Sequence, residues 1–292
     1  MKRILVTGGS GFIGSNLCKQ LIKENEVYCL DDFSIGSLNN VENLGIFGNF
    51  HIIDQDIRYP IDIQVDEIYH LAGPTAPGDF RRDKIKTLET LIKGATNVLD
   101  LATKLDIPIL QTSSIRVFET DHMNQNASYT EGKRTAETLF MLYKESYNTK
   151  AKIARLNSVY GPGMSPKDSR VIPQFIMKSL RNEDISIFGT GEQEDRFCYI
   201  DDIVNALILF MNSDFSEALN LGSLTSIKII DLAKMTIELS QSKSNITLTP
   251  GFVKQITESI DYTSALQILK WYPTIDLKTG LLNTIEYYKN MC

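Results

Sequence analysis

Along the first half of the chain, apolar residues fall in short runs separated by longer amphipathic stretches. The short runs are Arg3–Thr7, Glu26–Leu30, Phe50–Asp54, Glu67–Leu71 and Ile109–Thr112, and their β-branched and aromatic content predicts strands. Before the last of them, Ile85, Leu88, Ile92, Ala95, Leu99 and Ala102 recur at steps of three or four, which predicts a helix with these residues on one face. A second helix is predicted from near Tyr129 through Tyr147. A further strand, Lys152–Leu156, runs toward the turn signal Tyr160-Gly161-Pro162-Gly163. Strands alternating with helices predict an α/β protein built on a parallel, doubly wound sheet.

The pattern changes after Gly163. It predicts a helix around Ile172–Leu180, a strand at Ile185–Phe188 before the Gly189-Thr190-Gly191 turn, and an apolar run at Phe197–Ile200. A helix from Asp202, a strand at Leu219–Leu221 and helices at Ile229–Leu239 and Tyr262–Leu269 follow. There is no repeat and no Gly/Ser linker. The expected organisation is a larger domain over residues 1–162, with contributions from about 197–222, and a smaller, closely packed lobe over residues 163–292.

Composition narrows the class. The 292 residues are 42% hydrophobic and 23% charged, ordinary for a globular chain and against disorder. The formal net charge of -6 argues against nucleic acid or an anionic membrane as partner, so a phosphate-bearing ligand must be held by local groups. Apolar runs such as Ala206–Met211 fall far short of the roughly 18 residues of a membrane span. The run after Met1-Lys2-Arg3 breaks at once into glycines, too short for a secretory signal. Cys18, Cys29, Cys198 and Cys292 are scattered without a CxxC, and His51, His70 and His122 are dispersed. Reduced thiols, a cytoplasmic location and no metal are expected.

Directly after the first strand stands Gly8-Gly9-Ser10-Gly11-Phe12-Ile13-Gly14, a GxxGxxG spacing that opens a helix. A tight strand-to-helix turn needs glycine, a pyrophosphate leaves no room for side chains, and a helix N-terminus presents N–H groups. The loop therefore predicts a dinucleotide, bound by Gly8, Gly11, Phe12, Ile13 and Gly14. Asp31 and Asp32, about twenty residues on, are placed to accept the adenosine ribose hydroxyls and to repel a 2′-phosphate, which favours NAD over NADP. Asp56 and Ile57, past the third strand, are placed to hold the adenine. Tyr129 and Lys133 have the YxxxK spacing that puts both on one helix face, where the ammonium favours the phenolate. The strand Leu110–Ser114 delivers Ser113 and Ser114 to the carboxyl end of the sheet.

Together the segments TGGSGFIGSNL, LDDFSIG, YHLAGPTAP, TSSIRVF, YTEGKRTAE, RLNSVYGPGM, FGTGEQEDRFCYIDD and LNLGS resemble the extended short-chain dehydrogenase/reductase family that acts on nucleotide sugars, over nearly the whole chain. Among its subfamilies the look is nearest to UDP-glucuronate decarboxylases, through IKTLET and YTEGKRTAETL. The resemblance implies a Rossmann domain with a smaller C-terminal substrate lobe, tightly held NAD, and oxidation of a sugar C4 hydroxyl. Tyr129 is then the base, Lys133 tunes it and holds the nicotinamide ribose, and Ser114 bonds the reacting hydroxyl. Leu71 joins the cofactor set. Asn157, Ser158, Arg170, Val171, Phe188 and Arg196 correspond to substrate positions. A homodimer or dimer of dimers, paired through the helices Lys84–Leu105 and Tyr129–Tyr147, is also implied.

The departures bear on the reaction. Where the dehydratases carry Asp-Glu and the decarboxylases a Glu, this chain has Ile115 and Arg116, neither of which can act as a carboxylic acid. Phe118-Glu119 stands for the usual Tyr-Gly. Arg116 either binds a substrate oxygen or phosphate, or pairs with a nearby carboxylate. Asp195 takes the place of a usual arginine, and a late arginine is Glu258, with Lys254 nearby. The expected activity is a nucleotide-sugar 4-dehydrogenase in surface polysaccharide or glycan precursor synthesis. The alternatives are a 4-epimerase, then a 4,6-dehydratase or decarboxylase, and from another class a non-catalytic NAD-binding protein.

Overall fold

The computed structural model describes residues 1–119, 121, 124–251 and 260–291; Lys254, Glu258, His122 and Cys292 lie outside them. In chain order the elements are β1 (Arg3–Thr7), α1 (Phe12–Leu21), β2 (Glu26–Asp31), β3 (Phe50–Asp54), β4 (Glu67–His70), α2 (Pro77–Arg82), α3 (Lys84–Leu105), β5 (Ile109–Ser114), α4 (Ala127–Tyr147) and β6 (Ala151–Leu156). They continue as β7 (Val159–Tyr160), α5 (Val171–Leu180), β8 (Ile185–Phe188), β9 (Glu194–Asp195), β10 (Cys198–Tyr199), α6 (Ile200–Asn212) and β11 (Leu219–Leu221). The last are β12 (Ile227–Lys228), α7 (Ile229–Ser240), β13 (Ile246–Thr249), α8 (Thr263–Leu269) and α9 (Leu277–Lys289). Contacts divide the chain into one unit of Met1–Leu156 with Val204–Leu219, and another of Asn157–Ile203 with Asn220–Cys292.

The first unit is organised by a seven-stranded sheet in the order β11-β6-β5-β4-β1-β2-β3. The pairings from β3 across to β6 are all parallel. Leu5, Val6 and Thr7 of β1 have no exposure at all, as a central strand covered on both faces requires. Strand order reverses between β1 and β4, the switch point outside which such sheets bind their ligands. The expected doubly wound Rossmann sheet is therefore present.

One face of the sheet is covered by α3 and α4, with Ala95, Val98, Leu99, Ala136 and Phe140 in its core. Gly132 lets the two helices close up, since a Cβ there would lie 2.6 Å from Leu91 Cδ1. The apolar stripe on α3 is not buried along its whole length. Ala95, Leu99 and Ala102 are buried, but Ile85 is 76% and Leu88 36% exposed. Residues repeated at seven-residue steps drift by roughly 20° per heptad on a straight helix, so the start of the stripe turns outward. The buried face is instead anchored by Thr87, Leu91, Gly94 and Val98.

Lys152 of β6 is a lysine in a core position. Its Nζ donates to the carbonyls of Phe210 (2.8 Å), Met211 (3.0 Å) and Ser213, closing the C-terminal end of α6. Orphan carbonyls at a buried helix end require such a partner. Burial lowers the lysine from its ordinary pKa.

In the second unit β7 pairs with β10 and β8 with β13, both parallel, and β9 with β12 antiparallel. The Asp202 carboxylate accepts from Thr274 N, Thr274 Oγ1 and Ile275 N at 2.9–3.0 Å. Among the described residues no helix is long and apolar enough to cross a membrane.

Lys152→Met keeps the stem and deletes three bonds to buried carbonyls. The expected loss is about 1–3 kcal/mol of stability, read as a lower urea midpoint with an unchanged slope; a wild-type midpoint would remove the capping role.

Candidate active site

The glycine loop is shaped by contacts that exclude side chains. Gly8 has φ +69°, and a Cβ there would lie 2.8 Å from the backbone of Leu71 and Ala72, beyond the end of β4. A Cβ on Gly14 would lie 2.1 Å from the Gly8 carbonyl oxygen. Gly8 N donates to Leu30 O (2.8 Å) and Ser15 N to Gly11 O (2.9 Å), so the loop is tied to β2 and runs straight into α1. Gly11 caps α1 without a side-chain acceptor, which leaves first-turn N–H groups for a ligand. This is a cradle that a Cβ would fill, and it fits a pyrophosphate.

Asp31 stands beside the loop but is already engaged. Its Oδ2 accepts from Ser10 N and its Oδ1 from Phe33 N, both at 3.0 Å, and burial raises its carboxyl above the usual range. Asp32 accepts from Ser34 N and Ser34 Oγ and lies 3.7 Å from Lys86 Nζ. Asp56 is held by the Arg58 guanidinium, which lowers it, and Arg58 reaches on to Glu89. Ile57 is buried against Gly94. Leu71 N donates to Thr7 O (3.0 Å), next to the loop.

From the loop a line of buried groups leads to the YxxxK helix. Thr7 Oγ1 shares a 2.8 Å hydrogen bond with His70 Nδ1. His70 is pushed down to about 3 by burial and by the charge of Lys133. Lys133 Nζ donates to Thr112 O (2.7 Å), and burial brings it down to about 8 while Glu137 opposes the shift. Tyr129, one turn earlier on α4, is 5% exposed and stacks on Phe80 of α2, centroids 4.9 Å apart. Ser114 ends β5, and its Oγ accepts from Arg116 N (3.2 Å). Loop, Leu71, Lys133, Tyr129 and Ser114 thus belong to one unit of the chain.

Arg116 is ion-paired with Glu119, whose other oxygen accepts from Asn124 Nδ2 (3.3 Å). Ile115 is buried.

The expected substrate residues of the second unit fall into separate groups. Asn157 Oδ1 accepts from Ser158 N, and Ser158 Oγ donates to Asp195 Oδ2, both at 2.8 Å. Arg196 donates to Leu224 O and lies over the Tyr262 ring, 5.6 Å from its centroid. These residues form one cluster. Arg170 is instead bound to Asp168 through Nε and Nη2 at the start of α5, with Val171 next to it. Phe188 is 62% exposed at the end of β8.

Several participants were not foreseen. Phe80 sits on a six-residue helix too short to show a periodic stripe. His70 enters the sequence reading only among the dispersed histidines and within the YHLAGPTAP segment, although its strand-end position beside the glycine loop is a usable signal. Arg134, Glu137 and Arg155 act on neighbours that the sequence does not bring together.

A parallel sheet in this order, a glycine-rich loop at its switch point and a Tyr–Lys pair on the covering helix define an NAD-binding oxidoreductase of the Rossmann type. The chain belongs to the NAD dependent epimerase/dehydratase family, which it matches over residues 4–222, and it is an enzyme that uses NAD. It is 35% identical over 304 residues to UDP-glucuronic acid decarboxylase 1 of Xenopus tropicalis, covering 99% of this chain and 72% of that protein. Decarboxylase 5 of Arabidopsis thaliana is 34% identical over 298 residues, 96% of this chain and 87% of the relative. Among solved structures, the Thermotoga maritima UDP-glucose 4-epimerase with UDP-glucose aligns over 99% of both chains at 26% identity and a TM-score of 0.88. The UDP-glucuronic acid 4-epimerase of Bacillus cereus, at 24% identity and a TM-score of 0.87 over 99% of this chain, shares the fold.

His70 gives a pH signature. It stays neutral to about pH 3 in the folded chain but protonates near 6.5 when unfolded. Between these values the unfolded chain binds more protons, so this residue's contribution falls as pH drops through 6.5. His70→Gln should lose roughly 2 kcal/mol less stability than wild type between pH 7 and pH 5. Equal losses in paired urea titrations would show that His70 does not couple to folding.

Proposed function

We propose that the protein oxidises the C4 hydroxyl of a nucleotide-activated sugar and releases the 4-keto product. The observation that supports this is the line of hydrogen-bonded groups from the Gly8–Gly14 cradle through Leu71, Thr7 and His70 to Thr112, whose carbonyl accepts from Lys133 and which stands two residues before Ser114. In this reading Gly8, Gly11, Phe12, Ile13 and Gly14 hold the pyrophosphate. Asp31 and Asp32 read the ribose, Asp56 and Ile57 bound the adenine, and Leu71 lies against the cofactor's inner half. NAD, when bound, supplies the acceptor for the hydride that leaves C4.

Tyr129 takes the hydroxyl proton as the O–H electron pair becomes the second C–O bond. Lys133 steadies the phenolate and holds the cofactor's second ribose. Ser114 orients the reacting oxygen. Phe80, stacked on Tyr129, fixes the ring that presents the phenol and keeps water from it. Asn157, Ser158, Arg170, Val171, Phe188 and Arg196 are assigned to the nucleotide sugar. The relatives' names make uridine diphosphate sugars the first class to test.

Ile115 and Arg116 favour release of the ketone over a programmed elimination, because no carboxylic acid occupies either position. A hexuronate is a special case. Oxidation at its C4 places a carbonyl β to the carboxylate, and such acids lose carbon dioxide without a dedicated acid. A second reading, 4-epimerisation, is favoured by the likeness to the UDP-glucose 4-epimerase and returns the hydride within one turnover.

We also propose a homodimer paired through α3 and α4, which expose Ile85, Leu88, Met141, Leu142 and Tyr147.

Three measurements test these readings. Purified protein given a panel of nucleotide sugars should show absorbance growth at the reduced-cofactor band with a ketosugar in the mass spectrum. A product of unchanged mass formed without growth identifies the epimerase, one lighter by carbon dioxide identifies the decarboxylation of a hexuronate, and a 4-keto-6-deoxy product overturns the reading of Ile115 and Arg116. Tyr129→Phe should keep NAD and lose on the order of 10²–10⁴-fold in rate; an unchanged rate removes Tyr129 as base. Sedimentation at micromolar concentration should give a dimer that Leu88→Glu with Met141→Glu converts to monomer; a wild-type monomer overturns the pairing.

A further inference from the structure

Ser114 is the last residue of β5, and the chain beyond it leaves the sheet. Residues Ile115–Phe118 form a single 3₁₀ turn, so no strand neighbour fixes them. The Ser114 hydroxyl is nonetheless tied to this turn, because its Oγ accepts from Arg116 N. A displacement of the turn therefore displaces the hydroxyl.

Two arginines hold the turn from outside it. Arg134, next to Lys133 on α4, donates from Nε (3.1 Å) and Nη2 (2.7 Å) to Val117 O and from Nη2 to Glu119 O (2.8 Å), and its Nη1 meets Glu131. Arg155 on β6 lies over the Phe118 ring, 5.0 Å from its centroid. Its Nε and Nη2 form a bidentate pair with the buried Glu137, one turn beyond Lys133. Both guanidinium groups thus join the turn after Ser114 to the helix that carries Tyr129 and Lys133. A planar guanidinium holds its donors in a fixed fork, so from one position it serves the carbonyls of Val117 and Glu119 and the Glu131 carboxylate in a set geometry.

We infer that Arg134 and Arg155 are positioning residues, a two-point clamp that fixes the Ser114 hydroxyl relative to Tyr129 and Lys133. The inference rests on the proposed role of Ser114. The clamp acts through Ser114 alone: neither arginine needs to touch a substrate, and small misplacements of a reacting group are costly in rate.

The test is a double-mutant cycle on the full-length, NAD-loaded protein with Ser114→Ala, Arg134→Met, their combination, and Arg134→Lys. Backbone hydrogen exchange is read over 115–119, and kcat and KM are read with the nucleotide sugar that wild type turns over fastest. In Arg134→Met, exchange over 115–119 should quicken while β1 and α1 stay as in wild type. Its kcat should fall on the order of tenfold to a hundredfold, with KM for the sugar little changed, and Arg134→Lys should recover part of the loss. In the Ser114→Ala background the same change should cost less than about twofold, a non-additivity that a general loss of stability does not produce. Equal losses in both backgrounds, or unaltered exchange over 115–119, overturn the clamp. If Ser114→Ala alone leaves kcat unchanged, or no sugar is turned over, the assignment of Ser114 or the proposed activity fails instead, and the exchange result still decides whether the turn is held. Should Arg134→Met not fold, Arg155→Lys carries the same cycle, since it keeps the charge against Glu137 and loses the planar face over Phe118.

Discussion

The first unit depends on one short distance, the approach of the loop after β1 to itself and to the chain beyond β4. At Gly14 a single added carbon would sit 2.1 Å from the Gly8 carbonyl, and at Gly8 it would sit 2.8 Å from Leu71 and Ala72. Because these positions carry no Cβ, α1 can begin directly at the sheet edge with its N–H groups uncovered. The same closeness sets Leu71 and His70 beside Thr7, which brings the interior end of the loop to Lys133. Loosening it would separate the cofactor cradle from the helix that bears the proposed base.

Much of this was legible in the sequence, and the exceptions have physical causes. Strands β1, β4, β5 and β6 declared themselves because parallel strands inside the sheet are buried on both faces and read as continuous apolar runs, whereas β3, at the edge, was legible from its β-branched and aromatic residues. The cradle was legible because its constraint falls on residue type at fixed spacing. Asp31 was only half legible. Its place beside the glycine loop follows from spacing, but its bonds to Ser10 N and Phe33 N are made to backbone, which carries no residue code. Arg134 was hidden for the same reason, since its acceptors are the carbonyls of Val117 and Glu119. How far the α3 stripe is buried was not legible either: period alone gives the shared face, while Ile85 and Leu88 lie exposed at its start.

Buried charge is concentrated where geometry must be held. Lys133 and Lys152 each spend their donors on carbonyls at strand or helix ends, while Glu137 and Arg155 satisfy one another. Such groups add little net stability over apolar packing, but removing one partner is expensive. Their directional bonds distinguish one arrangement from near alternatives, which an apolar core of the same volume does less sharply.

The closure of α6 by Lys152 has a consequence for synthesis. Six strands of the large sheet are encoded before residue 157, yet β6 finds its outer neighbour only in β11 and its lysine finds acceptors only at Phe210, Met211 and Ser213. While the ribosome is still translating the intervening stretch, the nascent sheet has an open flank and an unmatched ammonium. An open flank of this kind is a template for pairing with other chains. The nucleotide-binding half thus cannot be finished, or cut out as a contiguous piece, until residue 221 has emerged, and the interval of greatest exposure to misassembly falls in the middle of translation.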